Sequence, residues 1–117
     1  MAFIGGGGVD ALAPFSREIY LLEIIVAGTT YCAQMPEIEP LLLTGTVLKM
    51  IRQPKNEHDE LAIGIYYNGV RVGWVPMEHN EVISRLMDAG KAFFCRIDST
   101  YRKGKWVKIC ALIFMVE

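Results

Sequence analysis

A short polar stretch carries the residue types in this sequence that are best suited to chemistry. It covers residues 52–60 and holds Asn56, His58 and Asp59. A carboxylate can accept a hydrogen bond from a hydroxyl group, and a histidine can stack on a ring or donate to a phosphate. The alternative is a structural turn in which Asn56 and Asp59 bond to their own backbone, as such residues commonly do. His79 is the only other histidine and has no metal-ligand spacing to this stretch, so no metal site is expected.

A second candidate is a group of basic residues near the end of the sequence. Residues 91–117 contain six basic and two acidic side chains, which gives a net charge of +4. Four of these basic residues lie beside Tyr101 and Trp106, namely Arg102, Lys103, Lys105 and Lys108. Cations between aromatic rings suit a single-stranded nucleic acid, because phosphates take the charge while bases stack on the rings. The alternative is a solvated hairpin tip, in which lysines protect an edge strand and the two rings pack across it.

Signatures of catalysis are missing from the sequence. It contains no nucleophile elbow, no HExxH, no Walker motif and no GxGxxG after a strand. The three cysteines, Cys32, Cys95 and Cys110, form no CxxC pair, and nothing near Cys32 would lower the pKa of its thiol. We therefore expect no enzyme activity and no cofactor, with reduced thiols acting as small apolar residues.

Length and composition favour one folded domain. The 117 residues carry a net charge of −1, and 52% are hydrophobic, which excludes both a disordered chain and a globally basic binder. Residues 1–16 include the run Gly5–Gly8 and predict a flexible arm, so the domain is expected over residues 17–117. No apolar stretch reaches the length of a membrane span, and a cytoplasmic location is expected. A mean hydropathy of +0.28 is high enough to indicate a thick core or a self-association surface.

Most of the chain reads as short strands. Residues 19–27 form an apolar run typical of a strand buried on both faces, and residues 44–52 alternate with Leu48 and Met50 on one face. Two further strands, residues 61–67 and 70–75, flank Asn68-Gly69, the strongest short hairpin signal. Between the first two strands, residues 34–40 contain two prolines and predict a loop.

The second half predicts one helix and a final hairpin. Apolar spacing indicates a helix over residues 81–89, with Asn80 as N-cap and Gly90 just past its end. The last strands, residues 91–99 and 105–116, would be joined around Lys103-Gly104, which would set Tyr101 opposite Trp106. We therefore expect a mainly β fold, a small antiparallel β-barrel of OB-like or SH3-like type with one or two helices.

Two motifs in fixed order resemble those of the HIRAN domain. The first contains Arg52, Pro54, Asn56, Asp59 and Ala62-Ile63, and the second is Gly73-Trp74-Val75-Pro76 at the end of the predicted hairpin. Upstream, the segment from Val26 to Tyr31 is similar to the family's first strand and the tyrosine that follows it. The resemblance covers residues 19–117 and is closest to the small stand-alone bacterial members of the family.

The resemblance implies a β-barrel module that also occurs at the N-terminus of DNA-repair helicase-like ATPases. The best-understood members hold the free 3′ end of single-stranded DNA. By position, Tyr31 would stack on a base, Asp59 would accept the 3′-hydroxyl, and Asn56 would make a polar contact. This sequence differs from the end-binding relatives in having Thr30, His58, Leu61 and Met77 where they carry arginine, tyrosine, asparagine and a basic residue.

The sequence therefore predicts a nucleic-acid-binding module for single-stranded DNA with a free 3′ end, acting in DNA repair or at stalled replication intermediates. Its expected binding residues are Tyr31, Asn56, His58, Asp59, Trp74, Arg52, Arg102, Lys103 and Lys105. Expected partners are DNA ends, a repair or helicase protein, or a second copy of the chain, with no membrane. The first alternative is a protein-interaction adaptor, and a more distant one is a metal-dependent hydrolase that would use His58, Asp59 and Glu57.

Overall fold

The computed structural model describes residues 17–117, and the arm expected over residues 1–16 lies outside them. The strands are β1 (Glu18–Ile25), β2 (Val47–Arg52), β3 (Ile63–Tyr67), β4 (Val70–Trp74), β5 (Ala92–Lys103) and β6 (Trp106–Val116). The helices are α1 (Met35–Ile38) and α2 (Met77–Asp88), and 3₁₀ turns cover Thr29–Tyr31 and Glu39–Leu41. Within residues 17–117 no helix has the length and hydropathy needed to cross a bilayer.

All six strands pair antiparallel in one sheet, in the order β1-β6-β5-β2-β3-β4. The two edge strands are joined by one isolated bridge between Ala27, just past β1, and Trp74 of β4. Each residue of this bridge donates its N–H to the carbonyl of the other, at 2.8 Å. The fold is therefore mainly β and antiparallel as expected, but the sheet is not a closed barrel, because its two edge strands meet at a single bridge and do not form a strand pair.

The core fills the inner face of this curled sheet. Side chains on β5 and β6 alternate, so that Cys95 and Ile97 are buried with Ile109 and Ile113 while their neighbours point outward. Helix α2 adds Ile83 to the same cluster of buried residues. Burial raises the pKa of the Cys95 thiol to about 12, so it stays neutral and packs as an apolar group, as the sequence indicates.

Three local predictions are confirmed. Asn68 and Gly69 both have positive φ, at 51° and 85°, and they connect β3 to β4 as a tight hairpin. On β2, Leu48 and Met50 are buried while the alternating residues Val47, Lys49 and Ile51 are exposed. Gly90 has a φ of 100° just past the end of α2, as its position predicts.

The first strand and the first helix differ from the sequence-based expectation. Within residues 17–117, β1 is an edge strand that pairs only with β6. It is not buried on both faces, and Ile24 is the one fully buried residue of the strand. Residues 34–40 form helix α1 and the start of a 3₁₀ turn where a loop was expected. Both prolines lie in the first turn of their helical segments, where the missing N–H costs nothing.

The final hairpin has a different register from the predicted one. Lys103 pairs with Trp106 and Tyr101 with Lys108, because the turn residues are Gly104 and Lys105. Gly104, with a φ of 61°, is the residue that takes the left-handed conformation of this turn. A bulge between Ile97 and Ser99 then shifts the pairing once more towards the start of β5.

Candidate functional site

A cleft of about 560 Å³ opens where the bridge joins the two edges of the sheet. Five of the residues singled out from the sequence line it: Tyr31, Asn56, His58, Asp59 and Trp74. They come from the 3₁₀ turn after β1, the loop after β2 and the end of β4. The rest of its wall is mostly apolar and is formed by Ala27, Gly28, Ala62, Val75, Met77 and Asn80. Segments far apart in the sequence thus meet at one mixed aromatic and polar site.

The indole of Trp74 is held on three sides. Its Nε1–H donates to Oε1 of Gln53 at 2.9 Å, and the guanidinium of Arg71 lies 4.4 Å from the ring centroid. On the third side is Gly28, where an added Cβ would be 2.7 Å from two atoms of the ring. Gly28 also has a φ of 74°, so both its backbone conformation and the space beside it favour glycine. The ring is therefore a fixed wall of the cleft.

The polar loop is built by its own side chains. Oδ1 of Asn56 accepts hydrogen bonds from the N–H groups of His58, at 2.9 Å, and Asp59, at 3.1 Å. Oδ1 of Asp59 accepts from the N–H of Leu61 at 2.9 Å. The backbone-capping role considered for Asn56 and Asp59 is thus present, and it fixes both side chains in the wall of the cleft.

The carboxylate of Asp59 is also held by helix α2. Nδ2 of Asn80 donates to its second oxygen, Oδ2, at 2.7 Å, and Asn80 is only 2% exposed. Each carboxylate oxygen can accept two hydrogen bonds, and within residues 17–117 Oδ1 and Oδ2 receive one each. The group therefore presents negative charge and spare acceptor capacity in the cleft.

Tyr31 lines the cleft and is 83% exposed. Its 3₁₀ turn is attached to β6, because Oγ1 of the buried Thr29 donates to the carbonyl of Val107 at 2.8 Å. The backbone N–H of Tyr31 donates to the carbonyl of Gly28 at 3.0 Å. A large ring is thus presented to solvent on a fixed turn beside the cleft, which is the arrangement a stacking ligand needs.

Arg52 lies outside the cleft and braces the loop that forms it. Its guanidinium donates to the carbonyls of Ala62, at 2.7 Å, and Glu60, at 3.0 Å, and it pairs with both carboxylate oxygens of Asp88. The side chain is 13% exposed. Each of its three nitrogens donates to a partner within residues 17–117, so Arg52 positions the loop, and the ligand contact expected for it stays a prediction.

Replacing Arg52 with glutamine is expected to destabilise the fold by about 1–3 kcal/mol, because two loop carbonyls lose charged hydrogen bonds. The matched control is Asp88→Asn, which removes only the exposed ion pair and should cost clearly less stability. Urea unfolding of both variants measures the difference, and equal losses would contradict the bracing role.

The ion pair between Arg52 and Asp88 makes the stability of the fold depend on pH. Hydrogen bonding to Arg52 lowers the pKa of Asp88 below its ordinary value. The contribution of the pair to stability is therefore present above the unfolded pKa and is lost as the pH falls through the lower, folded value.

The basic hairpin stands apart from the cleft. Arg102 pairs with Glu39, and their hydrogen bond lowers the pKa of Glu39 and raises that of Arg102. Lys103 and Lys105 lie at the exposed tip and line neither this cleft nor the two beside it. The structure thus brings together the five cleft residues but not Arg52 or the three hairpin cations.

The two histidines also lie apart. His58 lines the cleft, whereas His79 lines a neighbouring cleft with Trp106 and Lys108. Within residues 17–117 no three histidine, cysteine, aspartate or glutamate side chains are grouped to hold a metal ion.

Asn80 is the site residue that the sequence analysis placed wrongly. It was expected to cap the helix, but α2 begins at Met77, directly after Pro76, and Asn80 lies in its first turns. Its spacing to the buried Ile83 and Ser84 is a helical i, i+3, i+4 pattern, which could have placed it on the inner face. Arg71 and Gln53 were also missed, because only the fold brings them to Trp74.

The fold and cleft define a class of small antiparallel β domain. In this class the two edges of the sheet meet beside a polar loop, and a helix contacts that loop. Similar folds occur in two solved structures. A protein from Lactobacillus plantarum matches with 17% identity and a TM-score of 0.79, covering 87% of this chain and 98% of that one. The HIRAN domain of human HLTF matches with 16% identity and a TM-score of 0.67, covering 85% of this chain and 78% of that one. No curated protein matches the sequence significantly.

The HIRAN domain family model matches residues 19–114, which is most of the chain. The chain belongs to the HIRAN domain family.

Proposed function

We propose that this protein binds single-stranded DNA by its free 3′ end, with the terminal nucleotide in the cleft. The observation that carries the proposal is the carboxylate of Asp59, which the loop and Asn80 hold in a cleft bordered by Tyr31 and Trp74. Family membership supports a nucleic-acid ligand for this site.

Each part of the cleft has a role in this proposal. The terminal 3′-hydroxyl donates a hydrogen bond to a free acceptor position on Asp59. A 3′-phosphate is repelled by the same carboxylate, and an internal nucleotide has no free hydroxyl to offer. The terminal base stacks on the ring of Tyr31, which contributes about 1–3 kcal/mol per base. Asn56 and His58 add polar contacts from the loop.

This activity places the protein at DNA ends. We propose a role in DNA repair or in processing stalled replication intermediates, in the cytoplasm and without a membrane, where a repair or helicase protein is the expected partner. The binding reaction itself needs no cofactor and no bond cleavage.

Fluorescence anisotropy with one labelled oligonucleotide tests the proposal. The oligonucleotide is prepared as a 3′-hydroxyl single strand, a 3′-phosphate single strand and a blunt duplex, and each form is titrated at two salt concentrations. We expect the 3′-hydroxyl single strand to bind at least about tenfold more tightly than the other two, since a charged hydrogen bond contributes about 1.5–3 kcal/mol. Equal affinity for all three forms would contradict end recognition.

A second candidate function is a protein-interaction adaptor. It is favoured by the apolar side chains exposed along the edge strand β1, where Tyr20 is 53% and Ile25 46% exposed. Such an edge could pair with a protein partner or with a second copy of the chain. The two functions differ in salt dependence, because binding through phosphates weakens steeply with salt whereas an apolar interface does not.

A further inference from the structure

A second cleft, of about 650 Å³, lies directly beside the first. The two share three residues, Asn56, His58 and Trp74, so the fixed indole and the polar loop form a common wall. The second cleft is also open to solvent along Lys55, Glu57 and Arg71. A ligand longer than one nucleotide can therefore continue from the first cleft into the second past the edge of Trp74.

The second cleft has a positive excess of charge. Lys55 and Arg71 line it against one acidic residue, Glu57, and both cations are exposed. Neither Lys55 nor Arg71 forms an ion pair within residues 17–117. Arg71 is also oriented, since its guanidinium stacks on the Trp74 ring. Stacking uses the flat face of the guanidinium and leaves its in-plane N–H groups available to a phosphate.

A third cleft, which also adjoins the first, has no excess of positive charge. It shares Ala27 and Gly28 with the first, but there Lys108 faces two carboxylates, Glu23 and Glu78. The hairpin tip offers no route either, because Lys103 and Lys105 line none of the three clefts. A DNA strand carries one negative charge per nucleotide, so the route with spare cations is favoured.

Building on the proposed function, we propose that the second cleft binds the nucleotides on the 5′ side of the captured end. Lys55 and Arg71 neutralise their phosphates, and the strand leaves the terminal site on this side of Trp74. This gives the protein a site for a short stretch of single-stranded DNA with a fixed direction. The hairpin cations then contribute only a long-range field.

The test compares two double variants that remove the same charge. Lys55→Gln with Arg71→Gln alters the second cleft, and Lys103→Gln with Lys105→Gln is the matched control at the hairpin tip. Each is titrated with an unlabelled thymidine dinucleotide and a thymidine decanucleotide, both with a free 3′-hydroxyl, in competition against a labelled strand. Arg71→Lys keeps the charge but removes the planar guanidinium that stacks on Trp74.

We expect the second-cleft variant to lose at least about tenfold in affinity for the decanucleotide and the slope of log affinity against log salt to flatten by about 1.4, since two phosphate contacts are lost. Its affinity for the dinucleotide should fall less, because the dinucleotide has a single phosphate. Arg71→Lys should lose part of the decanucleotide affinity, since lysine keeps the charge but not the stacked guanidinium. The hairpin control should stay near wild type. Equal losses for both oligonucleotides, or a loss confined to the hairpin control, would overturn the proposal. If the wild type binds neither oligonucleotide at low salt, the proposed function itself fails and this subsite with it.

Discussion

Replacing Asp59 with asparagine is expected to remove the preference for a 3′-hydroxyl end over a 3′-phosphate end. The variant keeps the size of the side chain, and its amide oxygen can still accept from the N–H of Leu61. It loses the negative charge, so binding of the hydroxyl weakens while repulsion of the phosphate disappears. We expect the ratio of the two affinities to fall by about ten- to hundredfold, from the 1.5–3 kcal/mol that a charged hydrogen bond contributes. Anisotropy with the two oligonucleotides measures this ratio.

Asn80→Ala is the control for this variant. Asp59→Asn loses the hydrogen bond from Asn80, because an amide nitrogen cannot accept it. Asn80→Ala also removes this hydrogen bond but leaves the carboxylate of Asp59 in the cleft. Its stability should fall because the hydrogen bond is lost, while the preference for the 3′-hydroxyl is retained. If Asn80→Ala abolished the preference as fully as Asp59→Asn, the effect would be a distortion of the loop and not the loss of an acceptor.

Replacing Gly73 with alanine is expected to produce the largest loss of stability. An added Cβ would lie 2.3 Å from the carbonyl oxygen of Ala27 and 2.6 Å from Cγ1 of Val26. One of these neighbours is backbone, so the chain past β1 has to move and the two hydrogen bonds of the Ala27–Trp74 bridge are strained or broken. Overpacking of this kind and the lost bonds together cost about 2–5 kcal/mol. The melting temperature should fall by roughly 8–20 °C.

Gly104→Ala is the matched control, since the space around that position is open and only its positive φ opposes a side chain. It should cost about 1–2 kcal/mol. Because the bridge also sets the distance between Tyr31 and Trp74, Gly73→Ala should weaken DNA binding even below its melting temperature. A melting temperature of Gly73→Ala no lower than that of Gly104→Ala would show that the bridge between the two edge strands does not stabilise the fold.

Local chemistry made part of this architecture predictable. Asn68-Gly69 specifies its hairpin because both residues tolerate positive φ, and the alternation around Leu48 and Met50 specifies which face of β2 is buried. The polar loop was also identified, since Asn56 and Asp59 organise it through bonds within a few residues.

Features that depend on distant parts of the chain were not predictable. The apolar run in β1 looks like a central strand, but strand order is set by the whole sheet, and β1 lies at its edge. Asn80 is a residue type common at helix caps, and its side-chain partner Asp59, 21 residues away in the sequence, becomes apparent only in the fold. The register of the last hairpin was also missed, because hydrophobic periodicity predicts neither the position of its turn nor its bulge.

The most direct test of the central claim is the fluorescence of Trp74 during a titration. The protein has two tryptophans, and Trp106→Phe leaves Trp74 as the only emitting indole, in the wall of the cleft. The titrant is an unlabelled thymidine dinucleotide, once with a 3′-hydroxyl and once with a 3′-phosphate. Capture of the terminal nucleotide in the cleft predicts a saturable change in Trp74 emission that needs about tenfold less of the 3′-hydroxyl form. Binding that leaves the emission of Trp74 unchanged, or that changes it equally with both forms, would contradict the account.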